Sequence, residues 1–308
     1  MTKRPIKDVA ASIRQRLYNN AKETGRPFQE VLHYFAMERF LYRLAQSPHA
    51  DKFVLKGALM FTVWRAPSSR PTKDIDLLAR ISNNVDAILA IVRDICLLPV
   101  EPDGLVFDAA SLQGMIIKED ANYEGVRVTF LAHLQNAKVH MQLDMGFGDV
   151  LTPAATLTQY PTFLDLTPPE LWSYSRETAI AEKFEVMVQL GQVNSRMKDF
   201  FDIWFLSRQF GFDGATLANA ITRTFSHRGT AIVVPPLALT TAFASDPAKV
   251  AQWRGFLRKS RITSAPDNLG QLVDVLAAFL LPVARAIQEG QRFVARWDAP
   301  GPWQLSSN

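Results

Sequence analysis

The segment Arg70-Pro71-Thr72-Lys73-Asp74-Ile75-Asp76-Leu77-Leu78 alternates carboxylate with hydrocarbon over its second half. Successive strand side chains point to opposite faces, so Asp74 and Asp76 share one face while Ile75 and Leu77 face a core. A strand of this kind cannot stand alone. It needs neighbours along its edges and a packed layer beneath its apolar side. It also sets two like charges side by side, and these need a counter-ion. An Asp-x-Asp pair can hold one or two hard cations, Mg²⁺ being the natural one, because carboxylate and phosphate oxygens are its preferred ligands. The same tripeptide is common on exposed edges and turns, so its surroundings decide what it means.

Those surroundings begin with Phe53-Val54-Leu55, a short apolar strand that runs through Lys56 into Gly57. Residues 58–64 continue as a helix, and a loop leads from Ala66 to Pro71. A glycine where a strand hands over to a helix lets a phosphate approach the backbone, and the helix N-terminus offers unpaired N–H groups and the positive dipole end. A plain tight turn is the alternative. Strand, glycine turn, helix, loop and acidic strand together form the arrangement in which a nucleoside triphosphate lies with its phosphates at the turn and its metal at the aspartates. Upstream, residues 6–24 and 27–46 have helical periodicity, the second through Val31, Leu32, Phe35, Leu41 and Leu44, with Gly25-Arg26-Pro27 between them.

Downstream, residues 84–98 read as a helix, and strand-like runs follow at 112–117, 125–132 and 138–144. In the last run Val139, Met141 and Leu143 face one way and His140, Gln142 and Asp144 the other. Asp144 is therefore a candidate third carboxylate, either as a further metal ligand or as the base that takes a proton from an attacking hydroxyl. A solvated strand-end aspartate beside Gly146 and Gly148 is the plainer reading. A mixed sheet with helices is implied for residues 50–150. From Pro168 onward the pattern is helical almost throughout, broken at Gly191, at Gly211 to Gly214, and by the loop over residues 228–236, with no internal repeat.

Two further groups of charges stand out in that helical half. Lys183 is three residues from Ile180, four from Met187 and seven from Leu190, which places its ammonium on an apolar stripe. A buried charge must meet an anion. A triphosphate would serve, and so would an ion pair with Glu182 or Glu185. Arg196, Asp199 and Asp202 fall at three-residue steps on a helix opened by Asn194 or Ser195 as its N-cap, so they can share one face. Asp202 lies beyond the first turn, beside Phe201, Ile203 and Trp204, where an unpaired acid would be costly.

Composition narrows the remaining choices. The chain has 308 residues, 48% of them hydrophobic and 21% charged, enough for about two domains with real cores. A net charge of +4 and a pI near 9.2 allow a nucleic-acid partner without requiring one. Cys96 is the single cysteine, so an intrachain disulfide or CxxC metal site is excluded, and a buried thiol in a reducing cytoplasm fits best. The N-terminus lacks the apolar run of a secretory signal. The apolar stretch 272–287 contains Asp274, Pro282 and Arg285, is too short to span a bilayer, and reads as a core helix. No phosphate loop of the GxxxxGK[ST] type, GxGxxG, HExxH or nucleophile elbow is present, and His33, His49, His133, His140 and His227 lack metal-ligand spacing.

Taken in order, Lys56-Gly57-Ala58, Arg70-x-Thr72-x-Asp74-Ile75-Asp76-Leu77, Lys183, and Arg196-x-x-Asp199-x-x-Asp202 resemble the motifs of the AbiEii/AbiGii toxin family of nucleotidyltransferases. The likeness extends to the N-terminal helices and the helical C-terminal half. It implies an α+β fold: an N-terminal helical segment (1–50), a small mixed-sheet polymerase-β-like nucleotidyltransferase core (51–165) and a helical C-terminal domain (166–308). It also implies Mg²⁺-dependent transfer of a nucleotide from an NTP by the toxin of a toxin–antitoxin or phage-defence pair, with the acceptor end of tRNA as a target and an antitoxin as partner. By position, Gly57 and Ala58 belong to the phosphate turn, Asp74 and Asp76 to the metal site, and Lys183 to triphosphate binding, while Asp144 stands as a candidate further metal carboxylate on the strand pattern alone. Asp199 belongs to the fourth motif near the nucleotide, and Lys73, Arg196 and Asp202 accompany the nucleotide-binding set. Ala58 departs from the family, in which Ser, Thr or Gly is frequent, so only its backbone can serve a phosphate. Transfer to a small molecule such as an aminoglycoside, and a catalytically inactive nucleotide-binding partner, are the competing readings. The basic balance disfavours the first, and retention of the charged motif positions disfavours the second.

Overall fold

The structure is a computed structural model that describes residues 8–66, 70–120 and 123–305. Met1–Arg65, Thr72–Gly148 and Thr156–Ser173 form one unit, and Ala66–Pro71, Asp149–Ala155 and Tyr174–Asn308 form the other.

The first unit opens with α1 (Val9–Thr24), capped by the Asp8 carboxylate at one end and by Gly25 in the left-handed conformation at the other. α2 (Phe28–Gln46) follows, buried at every position from Tyr34 to Leu44. A helix enclosed on all sides must pair its charges. Here Asp103 accepts from Arg43 Nη1 and Nη2 at 2.6 and 3.0 Å and from Arg39 Nε at 3.1 Å. The remaining elements are β1 (Phe53–Lys56), α3 (Met60–Val63), β2 (Ile75–Ala79), α4 (Val85–Leu97), β3 (Leu105–Asp120), β4 (Tyr123–Leu134), β5 (Ala137–Phe147), β6 (Thr156–Gln159) and β7 (Glu170–Ser173). Cys96 is buried on α4, and burial pushes its thiol up to about 12.

Seven strands form one mixed sheet in the order β3-β4-β5-β2-β1-β7-β6, in which β2 runs parallel to β5 and antiparallel to β1. One face is the core: Leu55, Ile75, Leu77, Val126, Val128, Val139, Met141 and Leu143 pack with Phe35 and Phe40 of α2 and Ile88 and Val92 of α4. The alternation of β2 and β5 thus buries the side chains that the sequence pattern assigns to the core. The sheet extends past residue 150 because β6 and β7 join its far edge. At four residues each, these strands are too short to stand out in a sequence otherwise read as helical.

The second unit contains α5 (Arg176–Leu190), α6 (Met197–Gln209), β8 (Phe212–Asp213), α7 (Gly214–Arg228), α8 (Thr241–Ser245), α9 (Pro247–Ser260), α10 (Leu269–Gln288), β9 (Ala295–Trp297) and β10 (Trp303–Leu305). Side chains of Ser175, Asp213, Asp246 and Asn268 cap α5, α7, α9 and α10. β8, β9 and β10 add a small antiparallel sheet to this largely helical half. The expectation that the apolar stretch is too short for a bilayer does not hold for the helix that forms. α10 has 20 residues, long and apolar enough to cross a membrane by length and composition. Its Leu272, Leu276, Phe279, Leu280 and Val283 are nonetheless buried within the protein, Phe279 against Trp297 and Trp303, as a core helix requires.

Candidate active site

In the first unit Gly57 sits at the end of β1 with φ +72°, a conformation that L side chains rarely adopt. A Cβ there would overlap the carboxylate of Asp76. The expected helix forms but is short: a 3-10 turn, Gly57–Leu59, runs directly into the four residues of α3, which end at Val63. A single turn contributes little aligned dipole. Close approach to Asp76 is thus the physical reason for a glycine at this place.

Ile75 and Leu77 are buried and Asp76 is partly exposed on the opposite face, while Asp74, also partly exposed, directly precedes β2. The approach to β2 is tied to α2 by residues whose part the sequence pattern did not reveal. The Tyr34 hydroxyl accepts from Thr72 N at 3.0 Å, and His33 Nε2 lies 2.9 Å from the carbonyl oxygen of Lys73. Burial holds the His33 ring below its ordinary pKa, outweighing that backbone bond. The Lys73 side chain is exposed.

Strand register lines charges up across four strands. Lys56 of β1 is opposite Asp76, Asp76 is opposite Asp144 of β5, and Asp144 is opposite Arg127 of β4. Directly opposed residues share a face, so the order across the sheet is cation, carboxylate, carboxylate, cation. β5 continues to Phe147, so Asp144 is a buried mid-strand residue and not a solvated strand end. Its Oδ1 and Oδ2 accept from Arg127 Nε and Nη2 at 2.8 and 2.7 Å, and Gln142 Nε2 lies 3.2 and 3.1 Å from the same two oxygens. The bond to Asp144 raises the pKa of Arg127 against its desolvation, and the charges of Asp144, Asp74 and Asp76 add to it. Arg127 is a member of this charged row that sequence reasoning missed. The pairing of β4 with β5 reveals it.

Asp74 and Asp76 present hard oxygen donors on the polar side of a sheet, suited to a divalent cation such as Mg²⁺ held by one or two carboxylates together with phosphate oxygens. Among the described residues no group of three or more His, Cys, Asp or Glu is placed to hold a metal. The donor set therefore fits a cation that arrives with its phosphates better than a closed protein cage.

The second unit gathers the other motif residues. Lys183 Nζ of α5 lies 2.9 Å from both Asp199 Oδ1 and Asp202 Oδ2 of α6. Arg196 Nε donates to Asp199 Oδ2 at 2.6 Å, and Arg70 donates from Nε and Nη2 to Asp202 at 2.8 and 3.0 Å. Arg196, Asp199, Lys183, Asp202 and Arg70 form an alternating chain of five charges around two fully buried carboxylates. Burial alone would raise both acids. Lys183 and then Arg196 hold Asp199 below the ordinary carboxylate range, and Arg70 and then Lys183 hold Asp202 below it. Burial likewise pulls Lys183 down, but Asp199 and Asp202 outweigh it and leave its pKa raised.

Lys183 therefore pairs with neither acid that its own helix suggested. Glu185 is engaged by Arg228 at 2.9 Å and by Thr230. Arg70, with its side chain 12% exposed, is committed to Asp202. α6 also starts later than expected. Arg196 is its N-cap residue, and Asn194 Oδ1 accepts from Arg196 N at 2.8 Å just ahead of the helix. The buried Lys249 of α9 donates from Nζ to Asn194 O at 2.8 Å.

Residues 39–275, which contain every residue of both clusters, match the family model described as nucleotidyl transferase AbiEii toxin, Type IV TA system. Among solved structures, a candidate nucleotidyltransferase from H. pylori aligns over 86% of this chain and 99% of its own, at a TM-score of 0.50 and 14% identity. JHP933 from Helicobacter pylori aligns over 85% of this chain and 97% of its own, at 0.48 and 14%. At such identity the first of these likenesses bears on the fold alone, a mixed α/β architecture. No curated protein matches the chain. The family match covers most of the sequence and spans both charge clusters, and the chain belongs to the AbiEii family of nucleotidyltransferase toxins of type IV toxin–antitoxin systems.

Proposed function

We propose that this protein is an Mg²⁺-dependent toxin of the cytoplasm that transfers a nucleoside monophosphate from an NTP to an RNA acceptor, a tRNA, and is neutralised by an antitoxin partner. The observation that carries the reading is the pair Asp74 and Asp76 on the polar face of the sheet, with Gly57 giving Asp76 the room it occupies. Asp74 and Asp76 would hold the metal, which when bound offsets charge on triphosphate oxygens. A substrate hydroxyl attacks the α-phosphorus and gives up its proton to solvent, a new O–P bond forms as the bond from the α-phosphorus to the bridging oxygen breaks, and pyrophosphate leaves with that oxygen.

The protein's own part is positioning and charge. The backbone at Gly57 and Ala58, with Lys73, would serve the phosphates. Lys183 would offset triphosphate charge, with Asp199 setting its position and Arg196 and Asp202 fixing Asp199 and Lys183 in turn. Exposed Arg254, Arg258, Lys259 and Arg261 around the end of α9 support a polyanionic acceptor, since their neighbours Trp253 and Leu257 are buried and hold the basic face outward.

The test incubates the protein with Mg²⁺, each labelled NTP in turn, and total RNA. Label is expected in tRNA, and a folded Asp76→Asn protein is expected to transfer none. Label confined to a small molecule, or transfer retained by Asp76→Asn, overturns the reading. Growth arrest on expression, relieved by a co-expressed neighbouring gene product, tests the toxin and antitoxin roles.

A further inference from the structure

Asp144 is the third carboxylate of the sheet face, yet its geometry is that of an occupied anion. Ionised aspartate has about four lone-pair sites on its two oxygens. Two face a parallel pair of Arg127 N–H groups, a strong and directional arrangement, and Gln142 Nε2 lies within hydrogen-bond distance of both oxygens as well. To ligate a cation Asp144 would have to give up a charge-assisted bidentate pair, and the cation would then lie beside a guanidinium.

Arg127 shows the opposite imbalance. Its side chain is 36% exposed against 12% for Asp144. Nε and Nη2 are committed to Asp144, and among the described residues Nη1 donates to no protein atom. The cation lies on the same sheet face as Asp76, within the field of both Asp74 and Asp76. An arginine fixed by one carboxylate with donors to spare is the usual means of holding a phosphate.

We propose that Asp144 is the counter-ion of Arg127 and not a ligand of the metal, and that Arg127, held in place by it, binds a phosphate group of the nucleotide. This rests on the reading of Asp74 and Asp76 as the metal carboxylates. It leaves a two-carboxylate metal site with a cation fixed beside it.

The test uses the full chain and two probes that do not depend on the base or on turnover: Mn²⁺ followed by paramagnetic resonance, and magnesium tripolyphosphate followed by titration calorimetry. Arg127→Met is expected to weaken tripolyphosphate binding about tenfold or more, the scale of hydrogen bonds to a charged group, with Mn²⁺ binding kept. Arg127→Lys, which keeps the charge but loses the fork, is expected to fall between Arg127→Met and the parent. Asp144→Asn is expected to weaken tripolyphosphate while retaining Mn²⁺ binding within about threefold of the parent, whereas Asp76→Asn loses Mn²⁺. Loss of Mn²⁺ by a folded Asp144→Asn to the extent seen for Asp76→Asn overturns the proposal, as does tripolyphosphate binding within twofold of the parent in Arg127→Met. Should Asp144→Asn fail to fold, the two Arg127 variants decide the matter. Mn²⁺ binding retained by Asp76→Asn overturns the metal-site reading itself, and this inference with it.

Discussion

Gly57 and Asp76 lie so close that a methyl group on Gly57 would occupy the place of the Asp76 carboxylate. The φ of +72° at Gly57 adds a second penalty for any L side chain. Gly57→Ala is expected to destabilise the protein by about 1–3 kcal/mol and to push the Asp76 carboxylate aside, so that Mn²⁺ binding weakens as well. Urea unfolding and a Mn²⁺ titration check both effects. Parent-like Mn²⁺ affinity in the alanine variant would show that the close approach is unnecessary.

Removing Lys183 leaves Asp199 and Asp202 buried, with their shared cation gone. Breaking a buried pair by deleting one partner costs about 3–5 kcal/mol, so Lys183→Met should lose stability as well as transfer. The acids add a pH signature. Their pKa values are depressed in the folded state, so their contribution is complete above the ordinary carboxylate range and is lost progressively as the pH falls below that range towards their lower folded-state values. Lys183→Met should blunt that acid limb. Denaturation midpoints between pH 3 and 7, compared with Lys183→Arg, measure it, and an unchanged midpoint at neutral pH would count against the cluster as a structural tie.

Glu38 behaves oppositely. Burial raises its carboxyl from 4.5 to about 7, against the Phe163 backbone N–H and the charge of Arg39. A folded-state pKa above the unfolded value means that its contribution is complete below about 4.5 and is lost as the pH rises through about 7. Glu38→Gln cannot ionise. It should match the parent near pH 4 and exceed it by up to about 3 kcal/mol at pH 8. Urea melts at the two pH values test this, and an equal difference at both would refute it.

Lys249 is expected to act on the reaction from a distance. Its ammonium holds the Asn194 carbonyl, and Asn194 in turn holds the Arg196 amide at the start of α6. Lys249→Met should lower kcat/KM about tenfold by loosening the entry to Arg196 and Asp199, at a cost of about 1–3 kcal/mol in stability for the orphaned carbonyl. Restored rates in Lys249→Arg alongside depressed rates in Lys249→Met would separate hydrogen bonding from packing.

Period and composition carry much of this molecule. Ile75 and Leu77 inward with Asp76 outward, the alternation from Val139 to Leu143, the helix that opens at Asn84 and the core role of α10 follow from local rules. Pairings across long stretches of chain do not. Arg70 meets Asp202 from 132 positions away, and Arg127 meets Asp144 only because β4 and β5 adopt one particular register. Local periodicity holds no information on register. It could not tell that Lys183 would bypass Glu182 and Glu185 of its own helix for two acids on the next. Gly57 was legible as a turn, but its neighbour proved to be the Asp76 carboxylate.

The row from Lys56 through Asp76 and Asp144 to Arg127 also has a chronology. β2 receives its parallel partner only after the β3–β4 hairpin and β5 have been synthesised, since Ala137–Phe147 is the last of the four strands to leave the ribosome. A slip of one residue in that late pairing would turn Asp144 to the apolar side. The charged row is thus a product of completed folding. A partly made chain carries its acids without the arrangement.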